Sequence, residues 1–86
     1  MTKPTETGKL AAGRAVLARR GELGLTRAEV AEKAGVDIKT VWGFESGDRW
    51  PIAKTLAAVA AVLGLDAAEL MRIADGEPAQ AARAAS

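Results

Sequence analysis

The chain has 86 residues, a formal net charge of +1, 49% hydrophobic residues and 3% aromatic ones, which leaves room for one domain with a small core and favours helix over sheet. Neither cysteine nor histidine occurs, which excludes a thiolate or imidazole metal site, a disulfide framework and catalysis by either side chain. A charge balance this close to neutral argues only weakly for a polyanionic partner, so affinity for one requires cations gathered on one side.

In chain order, residues 1–7, with Pro4, read as a flexible arm. Thr5 or Thr7 is placed to cap a first helix from about Gly8 to Leu23 that closes at Gly24, with Leu10, Val16, Leu23 and then Leu25 as its apolar contacts. Gly13 and Gly21 lie inside this helix. Each costs about 1 kcal/mol relative to alanine, so one of them is expected where another backbone comes close. Arg14, Arg19 and Arg20 make the helix basic, and Leu17, like Met71 later in the chain, points outward as satellite core or as a dimer face.

Thr26 followed by Glu29 makes a capping box that opens a second helix at Arg27, expected to bury Val30 and Ala31 and to show Glu29, Glu32 and Lys33 to water. Gly35 ends it near Ala34, and Asp37 is the N-cap of a third helix from Ile38 to about Ser46. Val41 and Phe44 share the buried face of that helix with Glu45 close by, while Ile38, Lys39, Trp42 and Gly43 fall on other sides. Two helices joined by so short a glycine-bearing turn read as a helix-turn-helix, whose second helix can enter a DNA major groove.

The segment GDRWP, Gly47 to Pro51, is a loop, with Trp50 expected as a lid over the third and fourth helices. The fourth helix runs from about Ile52 to Leu63 with Leu56, Val59, Ala60 and Leu63 at helical spacing, and Gly64 stops it. Asp66 with Glu69 reads as another capping box, opening a fifth helix to about Ala74 that presents Leu70 and Ile73 to the bundle. Residues 75–86, with Gly76, Pro78 and a run of alanines, have no periodic apolar face and read as a disordered alanine-rich tail. The expectation is therefore an all-α, compact five-helix bundle with a central helix-turn-helix: an arm at 1–7, the domain at 8–74 and the tail at 75–86.

Leu56 to Leu65, the longest apolar run, is too short to span a bilayer, and Met1 to Leu10 lacks the apolar region of a signal peptide, so a cytoplasmic, nucleoid-associated protein with no membrane partner is expected. No nucleophile and base stand together in a motif and no glycine-rich phosphate loop follows a strand, so catalysis is not expected.

The segments GLTRAEVAEKAGV, DIKTVWGFESG, Pro51 with TLAAVAAVLGL, and DAAEL together resemble the lambda-repressor and Cro-like, or XRE-like, helix-turn-helix family over about Gly13 to Met71. The resemblance implies a DNA-binding regulator of transcription. It puts Arg27 where relatives usually carry a glutamine whose side chain and N-terminal amides meet a phosphate. It places Ile38, Lys39, Trp42 and Gly43 among the positions that face base edges, with Thr40 beside the DNA backbone, and Ser46, Arg49 and Lys54 along the stretch that touches phosphates. Arg20 and Glu45 match a pair that forms a buried salt bridge in relatives.

Relatives commonly carry glutamine, arginine, asparagine or serine in the base-facing row, because amides and guanidiniums make bidentate bonds to purine edges. Here Lys39 is the one long polar reader. Ile38 and Trp42 would pack on thymine methyls with Gly43 letting the backbone approach, or Trp42 would face a protein instead. The function implied is that of a small phage or bacterial repressor that binds double-stranded DNA and blocks transcription sterically. The alternative is an adaptor or antitoxin-like module that grips a protein through the same fold. No cofactor and no small-molecule ligand are expected. A homodimer through the fifth helix is expected, with a monomer on abutting half-sites as the alternative.

Overall fold

The computed structural model describes residues 4–76. Within them the chain forms α1 (Glu6–Leu23), α2 (Arg27–Ala34), α3 (Ile38–Ser46), α4 (Ala53–Leu63) and α5 (Ala67–Ala74), with no strand among the described residues. Local chemistry sets most of the boundaries. The capping box of α2 is complete: the Thr26 hydroxyl accepts the Glu29 N–H at 3.0 Å and the Glu29 carboxylate accepts the Thr26 N–H at 2.8 Å, which satisfies two otherwise orphaned donors. At its other end Gly35 takes the left-handed conformation at φ 71° and Val36 N–H returns to the Ala31 carbonyl. This closure turns the chain within two residues and delivers Asp37 to cap α3 through the Lys39 N–H at 2.8 Å.

Three expectations are corrected at the helix ends. α1 starts at Glu6, so Glu6 and Thr7 belong to the helix rather than to an arm. The cause is Thr5, whose hydroxyl accepts the Gly8 N–H while its own N–H donates to the Ala74 carbonyl at 2.9 Å, tying the start of α1 to the end of α5. At α5 the Asp66 carboxylate accepts the Ala68 N–H, but Glu69 pairs with Arg72 one turn on, so the reciprocal half of the expected box is replaced by an ion pair. α4 starts at Ala53, one residue later than expected, with Ile52 at its N-cap and no side-chain cap. Asp75 and Gly76 close α5 in a turn, and the rest of the expected tail lies outside the described residues.

The core joins Ala12 and Val16 of α1, Val30 and Ala31 of α2, Val41 and Phe44 of α3, Leu56, Val59, Ala60 and Leu63 of α4, and Leu70, Ile73 and Ala74 of α5. α1 meets its neighbours through Val16, as expected, and through small residues in place of two of the expected leucines: Gly8, Ala12 and Gly13 are buried, whereas Leu10 and Leu23 are exposed. The reason lies at Gly13. A Cβ there would overlap the Phe44 carbonyl oxygen and stand 2.7 Å from that of Glu45, so the backbones of α1 and α3 approach to a distance that only glycine permits. Gly21, the other interior glycine, has nothing within 4 Å of a Cβ. Trp50 packs edge-on against Phe44, ring centroids 5.4 Å apart, covering the joint between α3 and the loop to α4.

Candidate nucleic-acid interface

α3 is clamped on one side and open on the other. Val41, Phe44 and Glu45 are buried against α1 and α2, while Ile38 is 40% and Trp42 52% exposed and Lys39 is exposed as well. A row of side chains spaced along one face of a helix and left about half open to solvent or more is the arrangement that a groove of duplex DNA can accept.

Gly43 was expected in this outward row and is instead buried. The chain turns back after Gly47, and the N–H groups of Asp48 and Arg49 both donate to the Gly43 carbonyl, at 3.0 and 3.1 Å. The stem of Arg49 therefore lies on Gly43, at 3.1 to 3.3 Å from where a Cβ would be. The glycine makes room for an arginine rather than for a base edge. Ser46 is exposed, but its hydroxyl donates to the Gly43 carbonyl and accepts the Asp48 N–H, which stiffens the same turn. Beyond it, Thr40, Arg49, Trp50, Pro51, Ile52 and Thr55 line a shallow cavity of about 200 Å³ between α3 and the first turn of α4, where Lys54 is exposed. Thr55 did not stand out in the sequence, since a threonine in the first turn of a helix carries no distinguishing pattern.

Behind the open face sits a charged cluster. The Glu45 side chain, 2% exposed, accepts Arg20 Nε at 2.6 Å on Oε2, and Arg20 Nη2 at 3.1 Å and Arg27 Nε at 2.8 Å on Oε1. Arg20 also donates Nη1 to the Leu25 carbonyl, which locks the end of α1 to the entry of α2. The hydrogen bonds that Arg20 donates to the Glu45 carboxylate favour its charged form and raise its pKa above the ordinary value, outweighing the opposing effect of burial. Two cations on one carboxylate leave the cluster with a net positive charge. Arg27, expected at a phosphate, is thus directed inward by its Nε, and its guanidinium carbon lies 3.6 Å from the centroid of the Trp42 ring. Neither contact was legible beforehand: the three residues come from two helices and no periodicity pairs them.

A helix-turn-helix family profile matches residues 16–70. No curated protein is significantly similar in sequence. Among solved structures, the clp gene regulator ClgR from Corynebacterium glutamicum superposes with a TM-score of 0.68 at 29% identity, over 80% of this chain and 73% of that one. A second ClgR structure gives 0.66 at 28% identity over 86% and 94% of the two chains. The restriction-modification controller protein C.AhdI from Aeromonas hydrophila gives 0.67 at 26% identity, over 72% of this chain and 94% of that one.

Proposed function

The chain belongs to the XRE-like helix-turn-helix family of DNA-binding transcription regulators, and we propose that it acts as a small repressor of phage or bacterial type that lays α3 in the major groove and blocks transcription sterically. The observation that carries this reading is the division of α3 into a clamped face and an open one, with Ile38, Lys39 and Trp42 on the open side. Lys39 supplies a donor for a guanine edge, and Ile38 and Trp42 supply apolar contact to thymine methyls. Thr40, Ser46, Arg49 and Lys54, on or beyond the reader helix, meet phosphates and set its register, as does the edge of the Arg27 guanidinium not used by Glu45. Likeness to a gene regulator and to a controller protein supports a regulatory use of the contact.

A single module of this size buries modest surface on DNA, so two half-sites read by a homodimer strengthen binding, with α5 and its exposed Met71 as the joining face.

The test is the salt dependence of duplex binding. Each phosphate neutralised by a lysine or arginine contributes a slope of about −0.9 in log affinity against log salt, so Arg27, Arg49 and Lys54 together give a slope of about −3 for one module. A flat dependence, or no binding to any duplex in a random pool, would favour the adaptor reading, in which the exposed Ile38 and Trp42 grip a protein.

A further inference from the structure

A tryptophan half exposed on a nine-residue helix would ordinarily sample several rotamers. Trp42 is not left to do so. The Arg27 guanidinium stacks on its ring at 3.6 Å, within the range of a cation–π contact, for which tryptophan is the best acceptor. Arg27 is itself held by its Nε on Glu45, and Glu45 is buried and fixed by two further bonds from Arg20. A continuous line of directed contacts therefore runs from the buried carboxylate to the outward indole. Each link narrows the freedom of the next.

We infer that Arg27 is a positioning residue for Trp42, and that Trp42 so held is a specificity-determining residue that reads a methyl-bearing pyrimidine edge in the major groove. This rests on the DNA-binding reading above. One face of the indole is covered by Arg27, and the rest of the ring offers a flat, stiff apolar surface with a single N–H. Such a surface tells bases apart by shape and apolar contact, and the group that projects into the major groove for that purpose is the C5-methyl of thymine. Hydrogen-bond readout is left to Lys39. The arrangement also divides labour at the start of α2. A phosphate that drew Arg27 fully outward would have to break its bond to Glu45, so the inward geometry commits much of this guanidinium to the ring.

The experiment has two arms. In the first, the protein is labelled with 5-fluorotryptophan, which gives one fluorine resonance each for Trp42 and Trp50, and is studied without DNA. Arg27→Gln and the charge-conserving Arg27→Lys should shift or broaden the Trp42 resonance and leave that of Trp50, packed on Phe44, in place; the unmoved Trp50 signal shows that the fold is intact. A Trp42 resonance unchanged in both variants overturns the positioning role whether or not the protein binds DNA.

In the second arm, a duplex selected by the protein is remade with each thymine replaced in turn by deoxyuridine, which removes only the methyl. At one thymine per half-site the wild type should lose about fourfold in affinity, the worth of one buried methyl. Trp42→Ala should bind the thymine and deoxyuridine duplexes alike, and Arg27→Lys should keep its salt slope while losing most of the discrimination. Wild-type binding indifferent to every deoxyuridine substitution overturns the methyl reading while leaving DNA binding standing. Absence of binding to any duplex overturns both this reading and the one it rests on.

Discussion

Replacing Glu45 by alanine removes one carboxylate and orphans two guanidiniums. The side chain is 2% exposed and receives three hydrogen bonds, two from Arg20 and one from Arg27, whose own side chains are 15% and 27% exposed. Breaking a buried pair by deleting one partner costs about 3–5 kcal/mol, because the surviving charge stays desolvated. Arg27, nearer the rim, can recover hydration, so Arg20 carries most of the loss. A domain of this length holds roughly 4–13 kcal/mol in all, so Glu45→Ala should remove from about a quarter of its stability to nearly all of it.

The double variant Arg20→Met with Glu45→Leu provides the control. It replaces the pair by packing, and apolar replacements of buried ion pairs are often neutral or stabilising, so it should lose less than the single variant despite carrying one more change. Urea denaturation followed by helical circular dichroism measures both. A loss below about 1 kcal/mol for Glu45→Ala, the worth of an exposed ion pair, would refute the claim that this bridge is buried and fixes α1 against α3.

Other expectations follow from single contacts. Gly13→Ala gains about 1 kcal/mol of helix propensity but drives a methyl into the Phe44 and Glu45 carbonyls, so overpacking of about 1–3 kcal/mol or more should win; Gly21→Ala, with open space around it, should stabilise by up to about 1 kcal/mol, and the same urea titration compares them. The pKa of Glu29 is lowered chiefly by the hydrogen bond from the Thr26 N–H. The unfolded chain therefore binds the proton more readily, and the box stabilises the fold above the unfolded carboxylate pKa of about 4.3 and is lost as pH falls through the lower folded value. Glu29→Ala should accordingly flatten the acid limb of a stability-against-pH curve. Arg49→Ala should weaken all sequences alike and reduce the salt slope by about 0.9, whereas Lys39→Ala should relax preference at one base pair, a loss of about 1–3 kcal/mol on the preferred site alone; binding titrations on preferred and altered duplexes separate the two.

The parts of the fold that could be read from the chain are those decided within a few residues. Thr26 with Glu29, Gly35 and Asp37 carry their structural meaning in local hydrogen bonds and one left-handed residue, so the helix-turn-helix and its turn were visible in the sequence. The contact face of α1 was visible only in part: Val16 is buried and Gly13 meets another backbone, both as expected. Leu10 and Leu23, expected as contacts for their size, are exposed, and Gly8 and Ala12, which register as weakly hydrophobic, are buried instead.

Gly43 was misplaced for a similar reason: helical periodicity turns it away from Val41 and Phe44, but whether that side is open depends on where the chain goes after Gly47, and it returns as Arg49. At the site, the partnership of Arg20 with Glu45 followed only from family resemblance, and the attachment of Arg27 and Trp42 to it followed from nothing local. Four side chains on three helices meet only once the turn and the packing of α1 have set the angles between them. Trp50, expected as a lid over the third and fourth helices, lies edge-on against Phe44 of α3.

The most direct test of a major-groove placement for α3 is chemical protection of a bound duplex by dimethyl sulfate, which methylates guanine N7 in the major groove and adenine N3 in the minor groove; these atoms mark the two grooves unambiguously. The expected result is protection of guanine N7 at adjacent base pairs in each half-site, lost in a protein carrying Lys39→Ala with Trp42→Ala, and no change at adenine N3 opposite the same face. Protection confined to adenine N3, or a guanine pattern indifferent to both substitutions, would contradict it.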